Sequence, residues 1–155
     1  MKHFQLISRS PEETRALAAR LGKLLAPGDV VALHGELGSG KTEFVHGLAQ
    51  GLKVPPQVPV ASPSFTLAHE YPGRLTLIHL DLYRLEQLPP EVLPDLEEYL
   101  YGSQVVAIEW AERLKSLLPK DYLEVRLAIT GEHERTLTFI AHGPRGRELV
   151  ERLKE

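Results

Sequence analysis

Eight consecutive residues, Gly35-Glu36-Leu37-Gly38-Ser39-Gly40-Lys41-Thr42, follow the pattern G-x-x-x-x-G-K-[ST]. Glycines at this spacing let the backbone curl so that successive N–H groups converge on an anion. The lysine of the pattern reaches β- and γ-phosphate oxygens, and the hydroxyl that follows it ligates Mg²⁺. Glu36, Leu37, Gly38, Ser39, Gly40, Lys41 and Thr42 are therefore the residues expected to surround a bound nucleotide. The pattern requires a strand before it and a helix after it, whose N-terminal dipole favours the same negative charge. Val30-Val31-Ala32-Leu33-His34 is a short apolar, β-branched run suited to a buried parallel strand, and Phe44, Val45, Leu48, Ala49 and Leu52 recur at helical spacing, with Gly51 near the end.

Such a loop needs a carboxylate at the end of a nearby strand. Asp81 ends Leu77-Ile78-His79-Leu80 and Glu109 ends Val105-Val106-Ala107-Ile108, each where apolar strand gives way to polar loop. One of the two is expected to hold Mg²⁺ and the other to orient the attacking water as general base, with the division open. Lys41, Asp81 and Glu109 are thus the catalytic candidates, and Thr42, Asp81 and Glu109 the metal candidates. Ser62, Ser64 and Thr66 either supply a switch-type hydroxyl or serve turn chemistry around Pro63; Arg84 either stabilises a transferring phosphoryl group or makes a surface ion pair. Trp110 packs over the site, faces a partner, or belongs to the core. His34, His46, His69 and His79 lack ligand spacing, which disfavours a histidine metal site. No N-K-x-D segment is present to read guanine, so ATP is the default base by elimination. Thr14 is a candidate for approaching its adenine or ribose, and Arg135 a weaker one.

The elements that must position these residues read as one α/β domain over residues 1–155. Phe4, Leu6 and Ile7 suggest a first strand. Ser10 then caps a helix with Pro11 at its first position and Glu13 closing a capping box. Thr14, Leu17, Ala18, Leu21, Leu24 and Leu25 continue its stripe until Pro27-Gly28-Asp29. After the loop helix, Lys53 to Val60 is too proline-rich for helix or central strand, and occupies the place of a switch connection. A strand through Tyr71, a Pro72-Gly73 turn and a strand over Leu75 to Asp81 read as an antiparallel hairpin. Short helices are expected over Asp95 to Tyr101 and Ala111 to Leu118. Tyr122 to Ile129 and Arg135 to Ala141 alternate and form an antiparallel pair, and Gly143-Pro144 starts a closing helix with Leu149, Val150 and Leu153. The expected architecture is a P-loop NTPase fold: a central mixed, largely parallel sheet flanked by helices, with antiparallel additions at the C-terminal end.

Composition narrows the setting. Among 155 residues, 21 acidic and 18 basic side chains leave a formal charge of −3, which gives no global pull toward nucleic acid or anionic membrane. No apolar run is long enough to cross a bilayer, no secretory h-region follows Met1, and cysteine is absent, so a cytoplasmic address is expected. Absent asparagine and more arginine than lysine hint at a thermophilic source.

With these segments assembled, the chain resembles the TsaE (YjeE) family of small bacterial P-loop ATPases. The likeness rests on Gly35 to Thr42, on Ser62-Pro63-Ser64-Phe65-Thr66-Leu67, on His79-Leu80-Asp81-Leu82-Tyr83-Arg84-Leu85 and on Ile108-Glu109-Trp110, in that order. Glu13-Thr14 with Leu21-Gly22 also suits the family's first helix; beyond Trp110 the match is in layout more than motif. The resemblance implies an ATP hydrolase, weak alone, required for threonylcarbamoyladenosine formation on the adenosine beside the tRNA anticodon. It implies Mg²⁺ and ATP as cofactors and a TsaB–TsaD heterodimer as partner, reset by ATP binding and hydrolysis, with tRNA met only through that complex and no membrane role. Carried over, Lys41 and Thr42 hold phosphate and Mg²⁺, Asp81 and Glu109 are the acidic partners, Ser62 to Thr66 form the switch-like loop, and Trp110 adjoins the site. Two positions depart from the pattern: Ser64 replaces a threonine but keeps the hydroxyl, and Glu43 replaces a second threonine after Thr42, which argues against a phosphate role there. Two other readings stand beside this one, a small-molecule kinase on the same loop and a nucleotide-gated binding module with little hydrolysis.

Overall fold

Local chemistry sets the first helix. In the computed structural model, which describes residues 3–60, 68–83, 85 and 87–155, the Ser10 side chain accepts a hydrogen bond from the Glu13 backbone N–H at 3.0 Å, and Pro11 opens helix α1 (Pro11–Leu24). The strand before it is β1 (His3–Ser8). The chain then forms β2 (Val30–Gly35), α2 (Lys41–Gly51), the hairpin β3 (Ala68–Tyr71) and β4 (Leu77–Asp81), α3 (Leu93–Leu100), β5 (Val105–Glu109), β6 (Tyr122–Ile129), β7 (Arg135–His142) and α4 (Gly143–Leu153). The segment expected as a helix from Ala111 is instead a 3₁₀ turn over Ala111–Leu117. The strand expected from Leu75 begins at Leu77, and α3 starts two residues before Asp95, with Pro94 accommodated in its first turn.

Among the described residues the strands make one seven-stranded sheet in the order β1-β7-β6-β2-β5-β4-β3. The pairings β6–β2, β2–β5 and β5–β4 are parallel; β1–β7, β7–β6 and β4–β3 are antiparallel. The sheet is thus mixed, with a parallel centre and antiparallel strands at both edges. The antiparallel addition extends beyond the C-terminal hairpin, because β1 pairs with β7 along its whole length, from His3 opposite Ile140 to Ser8 opposite Arg135.

Alternation along the central strands splits the core into two layers. Val31, Leu33, Leu77, Val105, Ala107 and Val125 face α1, α2 and α4, whereas Val30, Ala32, Ile78, Leu80, Val106 and Ile108 face α3 and the 3₁₀ turn. Helices α1 and α2 meet at bare backbone: a Cβ on Gly22 would stand 2.9 Å from the Gly51 Cα. This close crossing seats α2, and with it the loop at its N-terminus, against the sheet.

By the same parity, Asp81 and Glu109 share the α1–α2 face of the sheet, and they are register partners at the ends of β4 and β5. Both acids lie on the side where α2 begins.

Candidate functional site

The turn between β2 and α2 is built on two glycines with positive φ, Gly38 at 84° and Gly40 at 104°. A side chain would find nothing within 4 Å at Gly38, so backbone conformation rather than crowding demands glycine there. The Ser39 N–H donates to the Glu36 carbonyl at 3.0 Å, and the Phe44 N–H to the Gly40 carbonyl at 2.9 Å, closing the loop onto the first turn of α2. Ser39 is buried, and its Oγ has no hydrogen-bond partner among the described residues. Leu37 is 99 % exposed at the loop's tip.

A cavity of about 930 Å³ opens over this loop, within the range of small-molecule sites. It brings together Glu36, Leu37, Gly38, Gly40, Lys41, Thr42, Asp81, Glu109 and Trp110 of the sequence candidates, along with Glu43 and Tyr83. Lys41 Nζ stands 3.6 Å from Glu109 Oε1, an ion pair with both side chains largely removed from water. Glu109 Oε2 lies 2.8 Å from His79 Nε2. Burial by itself would push the Glu109 carboxyl up; the His79 hydrogen bond and charge, with Lys41, outweigh it and hold the group below its ordinary value. Asp81 behaves oppositely. Burial raises its carboxyl, helped by the nearby Glu109 charge and only partly offset by the hydrogen bond that Asp81 Oδ1 accepts from the Tyr83 N–H at 3.0 Å. Two neighbouring carboxylates are thus driven apart in acidity.

Trp110 leaves β5 with φ 65°, a left-handed backbone that β-strand chains avoid for bulky residues. Its ring sits 5.3 Å from the Tyr83 ring and beneath the Arg113 guanidinium, 5.0 Å away, at the rim of the cavity. It also packs, partly buried, against the α3-side core.

A second, smaller cavity of about 150 Å³ adjoins the loop from the α1 side, lined by Ser10, Thr14, Gly38, Ser39, Gly40 and Arg135 among others. Arg135 Nη2 donates to the Gly38 carbonyl at 3.2 Å, and Nη1 to the Glu134 carbonyl at 2.8 Å. Thr14 is buried, with its hydroxyl 2.7 Å from Ser8 Oγ. Both of these candidates adjoin the loop, on its far side from the two acids. Glu43 lines both cavities and forms an ion pair with Arg15 Nε at 3.3 Å. Ser62, Ser64, Thr66 and Arg84 lie outside the described residues.

His79 lacks metal-ligand spacing, and that spacing does not reveal its bond to Glu109. The available signal was its parity: it lies two residues before Asp81, on the same face of the same strand. Tyr83 also lines the cavity, with nothing in its spacing to mark it.

Strand, loop and helix, with acids at the tips of β5, beside β2, and of β4, one strand further out, define an α/β protein of P-loop architecture. Comparison with known proteins gives the particular family. The family model described as "Threonylcarbamoyl adenosine biosynthesis protein TsaE" matches residues 8–137. The chain is 40 % identical over 154 residues to the tRNA threonylcarbamoyladenosine biosynthesis protein TsaE of Bacillus subtilis, covering 99 % of this chain and 95 % of the relative. It is 42 % identical over 135 residues to the protein of that name from Treponema pallidum, covering 87 % and 98 %. The crystal structure of Bacillus subtilis YdiB superposes with a TM-score of 0.81 at 36 % identity, covering 99 % of this chain and 95 % of that one. The chain belongs to the TsaE family.

Proposed function

We propose that this chain binds ATP with Mg²⁺ in the larger cavity and hydrolyses it, and that the hydrolysis drives a TsaB–TsaD complex through its cycle of threonylcarbamoyladenosine formation on tRNA. The observation that carries the reading is the ion pair of Lys41 with Glu109 at 3.6 Å inside a cavity floored by a glycine-rich loop. A lysine at the start of a helix, held by an acid until an anion replaces that acid, suits a phosphate site.

The residues fit both cofactors. Positive-φ glycines turn loop amides inward, and the unpartnered Ser39 Oγ sits within the same turn. Thr42, Asp81 and Glu109 supply hard oxygen donors, as Mg²⁺ prefers. Among the described residues no cluster of three or more His, Cys, Asp or Glu could hold a metal by itself. Bound there, Mg²⁺ would supply neutralisation of phosphate charge.

This chain's own groups do the rest. Loop amides and Lys41 Nζ hold the β- and γ-phosphates in line. Glu109, kept ionised by its neighbours, accepts a proton at a carboxylate oxygen or anchors the metal, and Asp81 takes the complementary task. Thr14 and Arg135, on the smaller cavity, contact the nucleoside end of ATP. Tyr83, Trp110 and exposed Leu37 ring the cavity mouth, where a partner protein would exclude water from the reaction. The TsaE relatives are named for tRNA threonylcarbamoyladenosine biosynthesis, which supplies the biological setting.

The test is phosphate release from Mg-ATP by the purified chain, alone and with TsaB and TsaD. Release stimulated by the partners, and reduced roughly 10²- to 10³-fold in Lys41→Ala by loss of electrostatic stabilisation, is the expected result. Absence of release in every mixture would refute the hydrolytic reading.

A further inference from the structure

One polar side chain tied to the site is not among the residues that line its cavity. His79 is 0 % exposed in the layer between the sheet and the α1–α2 pair. Its Nε2 meets Glu109 Oε2 at 2.8 Å, and its Nδ1 has no hydrogen-bond partner among the described residues. An imidazole in an apolar layer costs free energy that a leucine of similar volume would not. What it gains is one hydrogen bond to one carboxylate.

The register shows how that bond is reached. His79 stands directly opposite Ala107 on β5, and Asp81 opposite Glu109. The small Ala107 side chain leaves room for the ring to lie across the strands toward Glu109, its diagonal neighbour. Glu109 is the last residue of β5, followed by the left-handed turn at Trp110, so no onward strand constrains its side chain. Its two oxygens are instead held by different partners, Oε2 by His79 and Oε1 by Lys41. A phosphate ligand competes for Lys41, whereas nothing in the cavity competes for the buried imidazole.

We propose that His79 is a positioning residue: its Nε2 hydrogen, donated to Glu109 Oε2, fixes the carboxylate so that Oε1 remains aimed into the cavity when Lys41 turns to the nucleotide. The inference rests on the nucleotide-hydrolysing reading for its consequence, and on geometry alone for the tie itself. Carboxylates and imidazoles in active sites are commonly oriented by such outer partners, whose loss costs activity without removing a ligand.

Two variants separate the roles. His79→Leu fills the layer without a donor, and His79→Gln returns an N–H near the place of Nε2. With TsaB and TsaD present, phosphate release by His79→Leu should fall about tenfold or more, with affinity for ATP unchanged, and His79→Gln should recover most of the rate. An unaltered rate in His79→Leu, or a parallel loss of rate and ATP affinity, would overturn the inference. Independently of turnover, the histidine-labelled, nucleotide-free chain should show a downfield, exchange-protected Nε2 proton resonance that disappears in Glu109→Ala. Its persistence in that variant would also overturn the inference. If the wild-type chain releases no phosphate, the proposed function falls, and the resonance alone decides the tie. If His79→Leu does not fold, the resonance and His79→Gln decide it, a Gln variant that binds ATP but turns over tenfold more slowly counting against the hydrogen bond as the operative feature.

Discussion

Asp81 and Glu109 sit at paired positions on adjacent strands, yet their surroundings push their acidities in opposite directions. The raised Asp81 has a consequence for stability. Its folded form binds a proton more tightly than the unfolded chain does, so stability declines as pH rises from the ordinary value of 3.8 through the raised one. Above that range the ionised group is a standing cost. Asp81→Asn keeps an oxygen for the Tyr83 N–H and removes the charge, so thermal melts should show it more stable than wild type near neutral pH. The gain should vanish in acid below the ordinary carboxylate range, while Mg²⁺-dependent phosphate release is lost. Stability given up at a reacting group is a common sign of function. Glu109 carries the opposite sign: its lowered carboxyl stabilises the fold above the unfolded value, a contribution lost as pH falls through the folded one. At this scale the loop and both acids were readable from residue type and position. The His79–Glu109 bond was not, because it depends on which strands are neighbours and in what register, and no local pattern encodes that.

The elements place these residues through a few tight contacts. The α1–α2 crossing is one of them. A Cβ added at Gly47 would fall 2.6 Å from the Ala18 Cβ and closer still to the Arg15 carbonyl oxygen, backbone that cannot move aside alone. Gly47→Ala should therefore destabilise the fold by roughly 1–3 kcal/mol, the usual cost of overpacking. It should also weaken ATP binding, because α2 carries Lys41 and Thr42; chemical denaturation and nucleotide titration measure the two effects. Helix α1 and the β2–loop–α2 unit were legible because caps, prolines and apolar spacing act within a few residues. The 3₁₀ turn over Ala111–Leu117 was not distinguishable from an α-helix by composition, and the left-handed backbone at Trp110 carries no glycine to announce it. Pairing of β1 with β7 joins residues more than a hundred positions apart, and only the finished sheet reveals it.

Across the whole molecule, the last helix is fastened to the start of the central strand. Arg145 donates to Asp29 through Nε at 2.9 Å and Nη2 at 2.7 Å, and through Nη2 to the Leu24 carbonyl at 3.0 Å. Asp29, which lies just before β2, also accepts from the Ala26 N–H at 2.7 Å. The Asp29 hydrogen bond and charge raise the Arg145 guanidinium further. Arg145→Met should cost about 3 kcal/mol by leaving the buried Asp29 carboxylate without its cation. Because this staple lies away from the loop and the acids, the variant should bind ATP normally wherever it remains folded, a separation that melting curves and nucleotide titration can check. The claim on which the rest depends is that the loop cavity receives a triphosphate between Lys41 and the two strand-tip acids. A crystal structure of the chain grown with Mg²⁺ and a non-hydrolysable ATP analogue tests it most directly. The expected result is loop amides and Lys41 Nζ on the β- and γ-phosphates, with the metal between Thr42 and the acids and Glu109 still bonded to His79. Density for the nucleotide elsewhere, or acids turned away from its phosphates, would contradict it.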